Sequence, residues 1–205
     1  MEVEGEMGTP VIGVTGSMGS GKTTFARFLA SAGDGEHLDA DEIAKRLMNP
    51  GRAGYEPVLE EFGTYITDEQ GYIQPDKLAD EVFGNPEKLS RLESILHPLV
   101  RQHMEETIKE ARKSFYVLDV PLLFEAGMQE LCDWTVTVVA DVEKVVERMT
   151  ERGFSRENIE QRRKRQMSEE EKIKRADEVV RNNGSLEELS QRAEQILERI
   201  HARDF

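Results

Sequence analysis

The stretch VIGVTGSMGSGKTT at residues 11–24 decides the fold of this 205-residue chain. It begins with a short apolar, largely β-branched run, which is typical of a buried parallel strand. A glycine-rich turn follows, and apolar residues then recur at helical spacing from Phe25 to Ala32. A strand that leads through such a turn into an amphipathic helix predicts the first unit of an α/β fold.

The glycine-rich turn has the spacing of a phosphate-binding loop. Its three glycines leave room for successive N–H groups to point inward around a phosphate, and the dipole of the following helix adds to the attraction. Lys22 is placed to reach the β- and γ-phosphates of a nucleotide, and Thr23 to bind Mg²⁺. The alternative is a glycine-rich turn without a ligand, but strand, glycines, Lys-Thr pair and helix all coincide. We therefore predict a site for ATP and Mg²⁺ with the nucleotide contacts Gly16, Gly19, Ser20, Gly21, Lys22, Thr23 and Thr24.

Four further apolar segments predict the rest of a sheet. Two are strong, residues 115–118 and 134–139, and two are short, residues 37–38 and 179–180. Helical patterns separate these segments along the chain. This alternation predicts a five-stranded parallel sheet flanked by helices, the α/β core of a P-loop NTPase.

The chain is predicted to form a single domain with two additional parts. Residues 43–114 are mainly helical and too long for an ordinary crossover between two strands. We interpret them as a helical lobe on the acceptor side, where the molecule that receives the phosphoryl group would bind. Residues 148–175 are interpreted as a helical lid, and residues 1–10 as a flexible leader. The core is predicted to comprise residues 11–42, 115–147 and 176–205.

Three aspartates follow predicted strands. Asp119 ends a buried strand, where a carboxylate can hold a metal through its water shell, and a capping role is the alternative. Asp39 and Asp41 would project to the same side of an extended segment, and we assign both to the acceptor side. One of them is predicted to orient the acceptor hydroxyl and take its proton, while the other caps the next helix or is an outer metal ligand. Spacing alone does not identify the base.

The segment 148–175 reverses the sign of the chain's charge. It holds ten basic residues against six glutamates, whereas the whole chain has 27 Lys and Arg, 41 Asp and Glu and a net charge of −14. Basic runs are usually solvated helix faces, but after a phosphate-binding core this one favours a lid that closes over the transferring phosphoryl group. Arg152 and Arg162 are the predicted catalytic arginines, and Arg148 is the third candidate.

Composition disfavours several classes of protein. An acidic chain repels phosphate backbones, so we expect no nucleic-acid binding. No stretch approaches the roughly 18 apolar residues of a membrane span, and residues 1–10 lack the features of a signal peptide. The single cysteine, Cys132, fits a reducing cytoplasm. Nothing in the sequence indicates an obligatory protein partner.

Five motifs together resemble the dephospho-CoA kinase family. They are GSMGSGKTT at 16–24, LDAD at 38–41, LHPLV at 96–100, PLLFE at 121–125 and ADEVVRNNGS at 176–185. The resemblance covers nearly everything after residue 10. It implies that ATP phosphorylates the ribose 3′-hydroxyl of dephospho-CoA, the last step of coenzyme A synthesis.

The resemblance also implies roles for individual residues. Asp41 would be the base, and His97 would help to shape the acceptor-side lobe. The acceptor cleft would be lined by Pro121, Leu122, Leu123 and Glu125. The adenine would be bordered by Asn182, Asn183 and Gly184.

Other functions are compatible with parts of the sequence. A P-loop kinase for shikimate, gluconate or a nucleoside monophosphate is the nearest alternative, since an Asp-x-Asp pair after the second strand can also bind a sugar-like hydroxyl. A GTP-dependent switch is less favoured, because no Asn-Lys-x-Asp segment follows a strand to read guanine. A scaffold that binds ATP without turnover is disfavoured by the presence of Lys22, Thr23 and Asp41.

Overall fold

Five parallel strands form one sheet in the part of the chain that this computed structural model describes, residues 9–82, 84–153 and 166–202. The strands are β1 Val11–Gly16, β2 Gly35–Asp39, β3 Phe115–Asp119, β4 Trp134–Val139 and β5 Glu178–Arg181. Their order across the sheet is β2-β3-β1-β4-β5, and every neighbouring pair is parallel. The predicted five-stranded parallel sheet is confirmed, including its two short members.

Eight α-helices lie within the described residues. They are α1 Lys22–Ser31, α2 Ala40–Leu47, α3 Tyr55–Phe62, α4 Pro75–Val82, α5 Pro86–Lys109, α6 Val142–Glu151, α7 Glu169–Arg175 and α8 Leu186–His201. Among these residues, no helix combines the length and the apolar character that crossing a membrane requires.

The strand register brings polar residues to one edge of the sheet. All residues of β1 and β3 are buried, as in parallel sheets that are covered on both faces. Val14 of β1 is aligned with Asp119 of β3, and Asp119 is aligned with Asp39 of β2. The carboxyl ends of these strands therefore place the glycine-rich loop and two aspartates side by side.

The sheet belongs to a compact unit made of the described residues up to Asp39 and from Ile108 onward. Its core cluster combines β-strand residues such as Ile12 with Phe25 of α1 and Ile196 of α8. Helix α8 begins with a capping box: Glu188 N donates to Ser185 Oγ at 3.2 Å, and Ser185 N donates to Glu188 Oε2 at 3.0 Å. A cap of this kind stabilises a helix by about 1 kcal/mol.

Residues Ala40–Thr107 form a second compact unit. This unit is helical and overlaps the lobe that the sequence predicts at residues 43–114. It has a hydrophobic core of its own, formed by Val58, Phe62, Ile66, Leu78 and Leu96. Each unit therefore buries apolar residues of its own.

Helix α5 runs without interruption through Pro98. Proline lacks an N–H and disfavours helix at the preceding residue, so Pro98 in the sequence predicts a helix junction at His97. That prediction was wrong. An interior proline costs about 3 kcal/mol. Leu96, Val100 and Met104 recur every four residues and are all buried, and burying each large side chain contributes about 1.5–3 kcal/mol, which offsets this cost.

Candidate active site

The glycine-rich loop joins β1 to α1 and packs closely against the rest of its unit. Gly19 and Gly21 have φ values of +79° and +90°, a region that residues with a Cβ rarely adopt. A Cβ at Gly19 would lie 2.8 Å from Met149 Cγ, and one at Gly21 would collide with the Asn182 amide. Within the described part of the chain, the buried Ser20 Oγ has no hydrogen-bond partner. The loop therefore needs glycine for both conformation and space, and Ser20 keeps one polar group available.

Asn182 and Arg148 support the loop from outside. Asn182 Nδ2 donates to Ser20 O at 2.8 Å, and Arg148 Nη2 donates to Asn182 O at 3.0 Å. Arg148 Nη1 lies 3.5 Å from Gly19 O. Asn182, which the resemblance places beside the adenine, and Arg148, the third candidate among the lid arginines, thus lie against the loop. Both hold its backbone carbonyls.

Asn183 and Gly184 continue the same turn after β5. Asn183 Oδ1 accepts a hydrogen bond from Asp141 N at 2.8 Å, directly before α6. A Cβ at Gly184 would collide with the carboxylate of Glu188, which folds back to cap α8. The turn is therefore fixed by contacts to two helix starts.

Lys22 and Asp119 form an ion pair at the end of the loop. The Asp119 side chain is fully buried and the Lys22 side chain is 11% exposed. Lys22 Nζ also lies 3.5 Å from Thr23 Oγ1. Lys22, which is predicted to bind phosphate, therefore contacts both Asp119 and Thr23, which are predicted to bind the metal.

The Asp119 carboxyl is held in its ionised form. Burial alone would raise its pKa, but hydrogen bonds from His37, Lys22 and Thr23 and the positive charge of Lys22 outweigh burial, so that the pKa is lowered. His37 Nε2 lies 3.3 Å from Asp119 Oδ2. A buried, ionised carboxylate beside a hydroxyl suits a hard divalent cation.

His37 and Asp39 bring further ligand atoms to Asp119. One atom from each of the three residues lies within 4.8 Å of the others, an arrangement that could hold a metal ion. The sequence reasoning assigned Asp39 to the acceptor side or an outer metal role and missed His37. The signal was present, because positions 37 and 39 of one strand project to the same side.

The pair Asp39 and Asp41 does not lie on one extended segment. Asp39 is the last residue of β2, whereas Asp41 lies in the first turn of α2. The prediction that both project to one side of a strand was therefore wrong. It failed because the helix begins at Ala40, directly after the strand. Asp41 and the half-buried His97 of α5 both belong to the helical unit 40–107.

The loop 121–125 follows β3 and is anchored by polar contacts. Pro121 O accepts hydrogen bonds from Thr15 Oγ1 at 3.2 Å and from Lys172 Nζ at 2.7 Å. Glu125 lies 3.2 Å from Lys172 Nζ. Leu122 is half-buried, but Leu123 is fully buried, and a Cβ on Gly13 of β1 would lie 3.0 Å from it. Leu123 therefore packs in the core, because the loop turns this side chain towards the sheet, and it does not form the surface that the sequence assigned to it.

The residues of the predicted lid are found in different settings. Arg152 directly follows α6 and is exposed. Arg162 lies outside the described residues, as does most of the segment before Gln166. Lys172 near the end of the segment is 1% exposed and faces the core instead of solvent. The sequence placed Lys172 in the lid with its basic neighbours, and no local pattern marks it as buried.

Comparison with known proteins gives one consistent result. The family model for dephospho-CoA kinase matches residues 10–188. A dephospho-CoA kinase from Carboxydothermus hydrogenoformans is 42% identical over 201 residues, which cover 96% of this chain and 97% of that protein. A crystal structure of a Thermus thermophilus protein is similar with a TM-score of 0.79 and 36% identity over 94% of this chain and 98% of the other.

A second solved structure is also similar to this chain over nearly its whole length. The dephospho-CoA kinase from Campylobacter jejuni has a TM-score of 0.66 and 27% identity to this chain, and the match covers 93% of this chain and 96% of the other. Residues 10–188, which the family model matches, include the glycine-rich loop, Asp119, the loop 121–125 and the turn at 182–184. On the family model and the near-complete match to its relatives, this chain belongs to the dephospho-CoA kinase family.

Proposed function

We propose that this protein transfers the γ-phosphoryl group of ATP to the ribose 3′-hydroxyl of dephospho-CoA, giving coenzyme A and ADP. The observation that carries the proposal is the contact of Lys22 with the buried Asp119 at the end of the glycine-rich loop, in a chain of this family. Positioning and electrostatic stabilisation supply most of the catalysis in phosphoryl transfer. The alternatives with shikimate, gluconate or a nucleoside monophosphate as acceptor are not favoured by the family.

Lys22 is proposed to act on the β- and γ-phosphates. Its ammonium group is paired with Asp119, and nucleotide phosphates offer it a second set of anionic partners. Ser20 Oγ and the loop N–H groups add donors for the same phosphates. Arg148 and Asn182 support these groups by holding the loop carbonyls.

Thr23 and Asp119 are proposed to hold Mg²⁺, with Asp39 as an outer ligand. The residues fit this ion, because they combine a hydroxyl with a buried carboxylate. Burial raises the pKa of that carboxylate, but His37 and Lys22 outweigh burial and lower it, so the group is ionised. When bound, Mg²⁺ neutralises charge on the β- and γ-phosphates.

The acceptor groups are proposed from the family resemblance. Asp41 takes the proton of the ribose hydroxyl, and His97 shapes the lobe that receives the acceptor. Pro121, Leu122 and Glu125 line the cleft, with Leu123 supporting them from the core. Arg152 and Arg162 stabilise the charge that develops on the transferred group. The turn at 182–184 borders the adenine.

A panel assay tests the proposed reaction. ADP release is measured with ATP and Mg²⁺ against dephospho-CoA, adenosine, nucleoside monophosphates, shikimate and gluconate. We expect turnover chiefly with dephospho-CoA, by the purified chain without a second protein. A clearly larger kcat/KM with another acceptor would contradict the substrate assignment. Tight GTP binding with weak ATP binding in a direct titration would contradict the kinase assignment.

The location in the cell is also a proposal. Cys132 is a free thiol, which is compatible with a reducing compartment. We therefore propose that the protein acts in the cytoplasm. Fractionation of cells that express a tagged chain tests this location.

A further inference from the structure

Lys172 of α7 is buried in the core of its unit. Its side chain is 1% exposed, whereas Lys174 on the same helix is exposed to solvent. An ammonium group is costly to bury unless it is paired and hydrogen-bonded. The groups around Lys172 must therefore compensate for its burial.

Three oxygen-bearing groups surround the Lys172 ammonium group. Nζ donates to Pro121 O at 2.7 Å, lies 3.2 Å from Glu125 Oε1 and lies 3.5 Å from Thr15 Oγ1. At the other end of the residue, Lys172 O accepts a hydrogen bond from Thr137 Oγ1 of β4 at 3.4 Å. Both the backbone and the side chain of Lys172 are thus held by the sheet and by the loop 121–125.

The contacts of Lys172 lie at the two ends of the loop 121–125. Pro121 is its first residue and Glu125 its last. The Pro121 carbonyl is also bound by Thr15 Oγ1 at 3.2 Å, and Thr15 directly precedes Gly16, where the glycine-rich loop starts. Glu125 Oε1 additionally accepts a hydrogen bond from Met167 N at 2.8 Å. One lysine therefore connects both ends of this loop to the strand that leads into the phosphate-binding loop.

We propose that Lys172 is a positioning residue for the acceptor substrate: by binding Pro121 O and the Glu125 carboxylate at once, it fixes the loop 121–125 relative to the end of β1. This inference rests on the proposed function, in which that loop lines the acceptor cleft. Lys172 contacts loop atoms and does not face solvent, so its role differs from that of a lid residue that meets phosphate. A loop that shifts by about 1 Å can slow a reaction by about 10²-fold.

The desolvated charge of Lys172 agrees with this geometry. Burial lowers its pKa, and the charge of Lys22 lowers it further, while Glu125 acts in the opposite direction. Glu125 is 21% exposed and can be solvated when its partner is removed. Replacement of Lys172 by an unbranched apolar side chain is therefore expected to preserve the fold.

The test compares Lys172→Met with Lys174→Met, a matched change at an exposed lysine of the same helix. We expect Lys172→Met to raise the acceptor KM about tenfold and to lower kcat, with the ATP Kd within about twofold of wild type. Lys174→Met is expected to leave all three unchanged. Glu125→Gln, which removes the charge on the loop side of the contact, serves as the test if Lys172→Met does not fold. Because Glu125 is itself proposed to line the acceptor cleft, the readout for this variant is hydrogen exchange of the loop amides, which we expect to become faster.

Hydrogen exchange supplies a readout that does not depend on the reaction. The amides of Ala126 and Met128 donate to Leu122 O and Leu123 O, each at 2.9 Å, and report on opening of the loop. We expect faster exchange at these amides in Lys172→Met and unchanged exchange in Lys174→Met. Unchanged exchange and unchanged acceptor KM in a folded Lys172→Met protein would overturn the inference, as would an equal loss of ATP and acceptor affinity. If wild type fails to phosphorylate dephospho-CoA, the proposed function fails, and the exchange result still decides whether Lys172 fixes the loop.

Discussion

The ammonium group of Lys22, the first residue of α1, is paired with the carboxylate of Asp119, the last residue of β3. The pair joins the group predicted to bind phosphate to the group predicted to bind metal. His37 lies on the other oxygen of Asp119 at 3.3 Å. A change at any one of these residues therefore alters the charge balance of the others.

Replacement of Lys22 by alanine is expected to reduce turnover more than tenfold, because the point charge on the β- and γ-phosphates is lost. The protein is expected to fold, since the Lys22 side chain reaches the surface. Activity and circular dichroism are measured together. Lys144→Ala, at an exposed lysine paired with Glu147, is the control and is expected to retain activity. Retention of a tenth of wild-type activity in Lys22→Ala would count against the assignment.

The lowered pKa of Asp119 predicts an acid-sensitive contribution to stability. Hydrogen bonds from His37 and Lys22 and the charge of Lys22 lower this pKa against the effect of burial, so Asp119 stabilises the fold above its ordinary pKa of 3.8 and loses this contribution as the pH falls through its folded pKa. We expect the difference in unfolding free energy between wild type and Asp119→Asn to shrink as the pH falls below 3.8. Urea unfolding at several pH values measures it. A constant difference down to the lowest pH at which both fold would refute the prediction.

Asp41→Asn is expected to lower kcat by about 10²- to 10⁴-fold while ATP still binds, because the amide keeps the shape of the side chain and cannot take the ribose proton. Asp39→Asn is expected to lower kcat less than Asp41→Asn does, and to weaken binding of the metal or nucleotide. The measurements are kcat, acceptor KM and ATP affinity for both variants. A larger loss of kcat in Asp39→Asn, at unchanged ATP affinity, would mean that the two roles are reversed.

Cys132 is expected to be unreactive in the folded protein. Burial, with the nearby charges of Asp133 and Asp177, raises its pKa to about 12, so the reactive thiolate is scarce at neutral pH. With Ellman's reagent at pH 8, we expect reaction on the order of 10²-fold slower than in urea-unfolded protein. Equal rates in the two states would contradict the raised pKa of the half-buried thiol.

The sequence was sufficient to predict the sheet and the residues at its carboxyl edge. Local pattern carries this information, since apolar runs identify strands and the residue after each run lies at the strand end. Asp119 could be predicted in this way, and Lys22 and Thr23 from the spacing of the glycine-rich motif. Their mutual contact follows from the parallel register, which places Val14 beside Asp119.

The residues that sequence reasoning missed depend on contacts between distant segments. Lys172 contacts Pro121, 51 positions away, and no local pattern marks a lysine as buried. The continuous α5 was missed because the cost of Pro98 is local, whereas the burial that offsets it belongs to the tertiary structure. The prediction that Asp39 and Asp41 lie on one extended segment was wrong, because no glycine or proline marks the change from strand to helix at Ala40.

The close approach of Asn182 to Gly21 has a consequence for protein engineering. Asn182 reaches Ser20 across 162 positions of sequence, and the space it uses is the space that a Cβ on Gly21 would occupy. The glycine-rich loop consequently cannot be transferred to another protein by itself. A graft of residues 16–23 into another scaffold must also import the exit of β5 with Asn182, or the transplanted loop loses the donor that holds its backbone.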